Sequence, residues 1–189
     1  LSLKILHSHG DKQNEAGVLN NIGGVYEDLG DIDKALNYYQ QALRIFGIIG
    51  YKLGEAGALN NIGLAYRRLG SIQTALNYYQ KALPIFRILE NRRGEATTLN
   101  NIGALYRDLG ELQTALNYYN EALPIRRVVG DRPGEADTLN NIGAVHHDLG
   151  ELQTAFDYYN RSLMIYREIG NRTGEVTTLR NIATAYHDR

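Results

Sequence analysis

The stretch GEATTLNNIGALYRDLG at residues 94–110 returns along the chain with a period of 40 residues. It recurs as GEAGALNNIGLAYRRLG at 54–70 and as GEADTLNNIGAVHHDLG at 134–150, with variants that begin at Asn14 and Gly174. A repeat of about 20 to 50 residues is typical of a solenoid, in which each unit packs on its neighbours. The period predicts four complete repeats, at 11–50, 51–90, 91–130 and 131–170.

Each repeat contains a shorter period of 20 residues that is marked by glycine. Glycine stands at positions 10, 30, 50, 70, 110, 130, 150 and 170, and only Glu90 interrupts the series. Because glycine adopts the left-handed conformation that ends a helix at little cost, each position predicts a helix end and each repeat two helices. This leaves 1–10 as part of a second helix and 171–189 as a lone first helix, within a single array over 1–189.

Both helices of a repeat carry apolar residues at the spacing of an α-helix. In the first helix, predicted at 91–109, these are Ala96, Leu99, Ile102, Gly103, Tyr106 and Leu109. In the second, predicted at 112–129, they are Leu112, Ala115, Leu116, Tyr119, Ala122, Leu123 and Ile125. Since neither stripe can be buried by its own helix, the sequence predicts an all-α fold of stacked helices.

Part of this pattern resembles the tetratricopeptide repeat. The matching residues of one repeat are Leu59, Ile62, Gly63, Tyr66, Ala75, Tyr79 and Ala82. The spacing recurs in the other repeats, so the resemblance covers essentially the whole chain. The repeat departs from the usual unit of about 34 residues in its greater length and in lacking the helix-ending proline. The longer unit, with its LNNIG core and the GDRPGEA linker at 130–136, is similar to the repeats of kinesin light chains, Pins-type spindle-orientation scaffolds and certain bacterial regulatory proteins.

The resemblance implies a right-handed superhelical solenoid of antiparallel helix pairs. It also implies a protein-protein interaction module that binds a peptide or partner-protein segment in a concave groove lined by the first helices. Two alternatives stay open: a structural or self-assembling solenoid segment, and the sensor arm of a larger regulatory protein.

The composition argues against several other functions. Lys and Arg total 20 against 21 Asp and Glu, so the net charge of -1 gives no general attraction for nucleic acid or an anionic membrane. The absence of cysteine excludes disulfides and thiolate metal sites. We see no signal peptide and no long apolar run, so we expect a cytoplasmic protein.

The sequence offers no catalytic constellation and no phosphate-binding glycine loop. His147 and His187 occupy equivalent positions in successive repeats, about 8 to 10 Å apart by helix packing, which is too far for one zinc ion to bridge. His146 stands where Tyr66 stands in an earlier repeat and is interpreted as a core residue. We therefore expect no enzyme activity, no metal and no cofactor.

The polar face of the first helices carries two columns of asparagine. They read Asn20, Asn60, Asn100, Asn140 and Arg180, and Asn21, Asn61, Asn101, Asn141 and Asn181. Asparagine is unfavourable inside a helix, whereas its amide can both donate to and accept from the backbone of an extended peptide. The alternative is that one column bonds to neighbouring helices and spaces the repeats. We favour ligand contact for the Asn20 column and leave both readings open for the Asn21 column.

Two variable columns on the same face are candidates for selectivity. They read Glu27, Arg67, Arg107, His147 and His187, and Asp28, Arg68, Asp108, Asp148 and Asp188. The central arginines suit an acidic residue of the bound segment, because a guanidinium binds carboxylate through two parallel hydrogen bonds. The alternative is a solvated face on which Arg and Asp pair along the stack. The predicted binding site is Asn20, Asn60, Asn100, Asn140, Asn61, Asn101, Asn141, Leu64, Arg67, Arg68, Arg107, Asp108, His147 and Asp148.

Three further expectations concern packing. A basic and an acidic residue lie three positions apart at the start of each first helix, as in Arg132 and Glu135, and are interpreted as structural ion pairs. Pro84 and Pro124 lie inside second helices and should bend them. Apolar residues at the two ends predict end-to-end self-association. They are Leu1, Leu3 and Ile5 at one end, and Leu179, Ile182 and Tyr186 at the other.

Overall fold

A computed structural model of the protein describes residues 2–188, with side chains from residue 11 onward. Over these residues the chain forms nine α-helices and no strand, which confirms the predicted all-α class. The helices are α1 (Ser2–Asp28), α2 (Ile32–Ile49), α3 (Lys52–Arg68), α4 (Ile72–Ile88), α5 (Arg92–Asp108), α6 (Leu112–Val128), α7 (Arg132–Asp148), α8 (Leu152–Glu168) and α9 (Arg172–His187).

The chain divides within the first turn of α5 into two compact units, unit 1 (Leu1–Gly94) and unit 2 (Glu95–Arg189). In unit 1, α1 packs on α2, α2 on α3 and α3 on α4. In unit 2, α6 packs on α7, α7 on α8 and α8 on α9. Because consecutive helices are joined by short turns, they run antiparallel within each unit.

The turn after each helix from α1 to α8 contains a residue in the left-handed conformation. Glycine provides it at 30, 50, 70, 110, 130, 150 and 170, with φ between 67° and 81°. Glu90 adopts the same conformation with φ of 52°, although it has a side chain. The backbone N–H of the next residue, Asn91, donates to the carbonyl of Phe86 at 2.9 Å, which is the hydrogen bond typical of a helix end with a left-handed residue. The helix ends predicted at these glycines are confirmed.

The helix end predicted at Gly10 is wrong. Helix α1 runs without interruption from Ser2 to Asp28, so residues before Gly10 do not form a separate helix. Glycine costs only about 1 kcal/mol relative to alanine inside a helix, so it permits a helix end without imposing one. The side chains of Leu1, Leu3 and Ile5 lie outside the described residues. On α9, Leu179 and Tyr186 are exposed, and the predicted self-association stays a prediction.

In each helix pair, a glycine of the first helix packs directly against a tyrosine of the second. The tyrosines at 39, 79, 119 and 159 are at most 2% exposed, and each ring lies over the glycine at 23, 63, 103 or 143. A Cβ atom added to Gly63 would lie 2.6 Å from Cε1 of Tyr79, well inside van der Waals contact. The glycine of LNNIG is therefore required for helix approach rather than for a turn.

Two of the predicted packing features are confirmed. His146 stacks on Tyr158 at a ring-centroid distance of 5.4 Å, as Tyr106 stacks on Tyr118. Arg132 Nη1 lies 2.7 Å from Glu135 Oε2, and equivalent pairs join Lys52 to Glu55 and Arg172 to Glu175. A second arginine, from the preceding helix, reaches the same carboxylate in two repeats, in the pairs Arg127–Glu135 and Arg167–Glu175. Glu135 and Glu175 therefore tie α7 to α6 and α9 to α8.

The two central prolines lie inside helices that continue past them. Pro84 is exposed within α4, which extends to Ile88, and Pro124 is exposed within α6, which extends to Val128. Proline has no backbone N–H, so each removes one helical hydrogen bond. Neither proline ends its helix, and the bend expected at each stays a prediction.

The glycine–tyrosine contact predicts opposite effects for two alanine substitutions in α3. Gly63→Ala should lower the free energy of unfolding by about 2 to 3 kcal/mol, because the new methyl group overlaps the Tyr79 ring. Gly57→Ala should raise the free energy of unfolding by about 0.5 to 1 kcal/mol, because the added Cβ would meet no neighbouring atom within 4 Å and alanine favours the helix. Urea unfolding followed by circular dichroism measures both. Equal effects of the two substitutions would contradict this account.

The left-handed Glu90 predicts a stabilising substitution. Glu90→Gly should raise the free energy of unfolding by about 1 kcal/mol, because a residue with a Cβ is strained in this conformation. Gly70 has a φ of 72° and open space around its Cα, so Gly70→Glu should lower stability by a similar amount. Thermal unfolding of both variants tests the pair, and a destabilised Glu90→Gly variant would overturn it.

Candidate functional site

Asparagine side chains connect successive first helices through hydrogen bonds that we call the asparagine rungs. In unit 1, Nδ2 of Asn61 donates to Oδ1 of Asn20 at 3.2 Å. In unit 2, Asn141 donates to Asn100 at 3.2 Å, and Asn181 donates to Asn140 at 3.1 Å. Each rung joins the second asparagine of one repeat to the first asparagine of the repeat before it. From the sequence, bonding between repeats was an alternative for one asparagine column, and the rungs use both the Asn20 column and the Asn21 column.

The rungs leave one donor and one acceptor open on α7. Asn140 uses its Oδ1 to accept from Asn181, and Asn141 uses its Nδ2 to donate to Asn100. In the described part of the chain, Asn140 Nδ2 donates to no protein group and Asn141 Oδ1 accepts from none. Both residues are partly exposed. Two adjacent side chains therefore present an amide N–H and an amide oxygen to solvent.

Asn140 and Asn141 also line two cavities of unit 2. The first, which we call the Asp137 cavity, has a volume of about 380 Å³. Its walls are Asn100, Asp137, Asn140, Asn141, Tyr166, Asn171, Thr173, Gly174 and Thr177. The second, the His147 cavity, has a volume of about 250 Å³. Its walls are Arg107, Asn140, Asn141, Ala144, His147, Asp148, Tyr159, Asn181 and Thr184.

The structure brings together six residues of the predicted site around these two cavities. They are Asn100, Asn140, Asn141, Arg107, His147 and Asp148. Asn101 is partly exposed and Asp108 is exposed on α5, and both lie outside the two cavities. The remaining predicted residues lie in unit 1, with Asn20 on α1 and Asn60, Asn61, Leu64, Arg67 and Arg68 on α3.

Two of the arginines predicted to meet an acidic ligand are bonded to carboxylates of the protein. Arg107 binds Asp148 through two hydrogen bonds, Nε to Oδ2 at 2.6 Å and Nη2 to Oδ1 at 3.2 Å. Arg68 Nε lies 2.9 Å from Oε1 of Glu27, and its Nη1 donates to the Glu27 carbonyl at 3.3 Å. An acidic ligand would have to displace these partners. The contacts favour the pairing along the stack that was the alternative interpretation.

Asp137 is a site residue that the sequence analysis missed. It lies on α7, lines the Asp137 cavity and accepts a hydrogen bond from the Tyr166 hydroxyl. Partial loss of hydration raises the pKa of Asp137, and the Tyr166 bond and the Arg126 charge offset this only in part. The sequence does contain a signal for it, since Asp137 is the one charged residue of its column. The equivalent residues of the other repeats are Gly17, Gly57, Thr97 and Thr177.

The profile of the tetratricopeptide repeat matches the chain over residues 14–88, 54–128 and 134–189. The chain belongs to the tetratricopeptide repeat family. No curated protein matches this tetratricopeptide chain.

Several solved structures share the fold of the tetratricopeptide chain. The Rap conjugation gene regulator of plasmid pLS20, in complex with the Phr* peptide, matches with a TM-score of 0.82 and 18% identity, over 88% of this chain and 46% of that one. A STAND protein with a tetratricopeptide repeat sensor from Pyrococcus horikoshii matches with a TM-score of 0.76 and 18% identity, over 93% of this chain and 27% of that one. This chain thus spans less than half of either protein.

Kinesin light chain repeats share the fold as well. The nearly identical TPR-like repeats of a Podosopora anserina kinesin light chain match with a TM-score of 0.70 and 13% identity, over 93% of this chain and 87% of that one. The resemblance to kinesin light chain repeats is confirmed at the level of the fold.

Two further properties follow from the described residues. Between residues 11 and 188, where side chains are described, no group of three His, Cys, Asp or Glu side chains is placed to hold a metal ion. Between residues 2 and 188, no helix combines the length and the apolar character that crossing a bilayer requires.

Proposed function

We propose that this tetratricopeptide chain is a binding module without catalytic activity, and that α7 of unit 2 binds an extended peptide or partner-protein segment. The observation that carries the proposal is the position of Asn140 and Asn141. These two residues line both cavities, and each keeps one hydrogen-bonding group free of protein partners.

The open groups match the chemistry of a peptide backbone. Asn140 Nδ2 can donate to a backbone carbonyl of the segment, and Asn141 Oδ1 can accept from a backbone N–H. The rungs fix the orientation of both amides before the ligand arrives, so little side-chain entropy is lost on binding. Because every residue except proline has both groups, this contact holds a segment without selecting its sequence. Selection then depends on the side chains that enter the Asp137 and His147 cavities.

The fold comparison supports a peptide ligand. The pLS20 Rap regulator, whose structure contains the Phr* peptide, shares the fold of most of this chain. The fold also recurs in the P. horikoshii STAND protein, where a tetratricopeptide array is a sensor. Peptide binding in this chain would suit a sensor arm equally well, so the two readings differ in what flanks the array and not in the chemistry of the site.

The open donor of Asn140 gives the test. Random peptides displayed on phage are selected on the folded protein, and the affinity of a selected peptide is measured by titration calorimetry. Asn140→Asp keeps the oxygen that accepts from Asn181 and removes the donor, so the affinity should fall about 10-fold or more.

The matched control is Asn117→Asp, which makes the same change at an exposed residue of α6 outside both cavities and should leave the affinity unchanged. An unchanged affinity in Asn140→Asp would place the ligand elsewhere on the protein. Failure of the folded protein to select any peptide would contradict the proposed function itself.

A further inference from the structure

The Asp137 cavity has one charged residue in its walls. The other eight are asparagines, threonines, Tyr166 and Gly174, all uncharged at neutral pH. The aspartate is placed one helical turn before Asn140 on α7, so both project toward the same side of the helix. A side chain of a segment held at Asn140 would therefore meet a negative charge in this cavity.

The charge of Asp137 has no cationic partner in the described residues. Its direct partner is the Tyr166 hydroxyl, which is neutral. The arginine whose charge influences it, Arg126, is only 5% exposed and is bound to Asp131, with Nη1 2.7 Å from Oδ2. Arg132 is likewise held by Glu135 and Glu168. Arg127, on the preceding helix α6, is also paired with Glu135.

We infer that the Asp137 cavity is a selective subsite for a lysine or arginine side chain of the bound segment, with Asp137 as its counter-ion. The inference rests on the proposed function, since the segment must first be held at Asn140 and Asn141. An ammonium or guanidinium group can donate to Asp137 while the threonine hydroxyls and asparagine oxygens of the walls accept its remaining hydrogens.

Two observations strengthen the assignment. The pKa of Asp137 is raised because its carboxylate is incompletely hydrated, and an incoming cation would relieve this penalty. The equivalent residues on α1 and α3 are Gly17 and Gly57, which offer no side chain. A basic side chain therefore finds its counter-ion at one repeat of the column, which fixes the register of the segment along the array.

The experiment compares peptide selection by the unmodified chain and by Asp137→Asn. Asparagine keeps the shape of the side chain and an oxygen that accepts from Tyr166, and it removes only the charge. Phage-displayed random peptides selected on the unmodified chain should carry Lys or Arg at one fixed position, and peptides selected on Asp137→Asn should not. A selected peptide should bind about 10- to 100-fold more weakly to Asp137→Asn.

The matched control is Asp157→Asn, which makes the same charge change at an exposed residue of α8 outside the cavity. It should retain both the affinity and the preference for a basic residue. Replacing the basic residue of the peptide with glutamine should weaken binding to the unmodified chain and should have little further effect on Asp137→Asn.

Peptides that bind with a loss of affinity in Asn140→Asp, but without any basic preference, would overturn this inference and leave the proposed function standing. An equal loss of affinity in Asp137→Asn and Asp157→Asn would overturn it too, since that result shows a general effect of net charge. If no peptide binds at all, the proposed function and this inference fail together.

Discussion

The contact between a glycine of each first helix and a tyrosine of the following second helix is the constraint on which the rest depends. A first helix approaches its partner closely enough to bury the tyrosine ring only because the glycine has no Cβ. That glycine follows the two asparagines of LNNIG within the same turn. Fixing it against the tyrosine therefore also fixes where the asparagines lie, and rungs of 3.1 to 3.2 Å need that precision.

The rungs explain how one asparagine can serve both the fold and a ligand. Each carboxamide has a donor and an acceptor end, and a rung uses one end of each of two residues. In unit 2 this leaves Asn140 with a donor and Asn141 with an acceptor. The charged side chains differ in whether the protein already neutralises them. Arg107 is paired with Asp148, whereas Asp137 is bonded only to the neutral Tyr166 hydroxyl. Selectivity in this account comes from the charge that the fold leaves uncompensated.

Much of the fold could be predicted from the sequence because it depends on local rules repeated in every unit. The left-handed glycines that end helices and the apolar stripes are examples. The helix end predicted at Gly10 was wrong because glycine permits a helix end without requiring one. The pairing of Arg68 with Glu27 could not be predicted with certainty, since it depends on where a side chain 41 residues away lies. Asp137 was not predicted as a site residue, because the other members of its column are glycine and threonine and carry neither a charge nor an amide that would mark the column as a binding site.

A crystal structure of the chain with a selected peptide bound would show directly whether α7 holds the segment. We expect an extended segment across α7, with a backbone carbonyl at Asn140 Nδ2, the neighbouring N–H at Asn141 Oδ1 and a basic side chain inside the Asp137 cavity. The asparagine rungs should persist in the complex, because the ligand uses the groups that the rungs leave open. A peptide bound on the second helices, or one that breaks the rungs to reach the asparagines, would contradict this expectation.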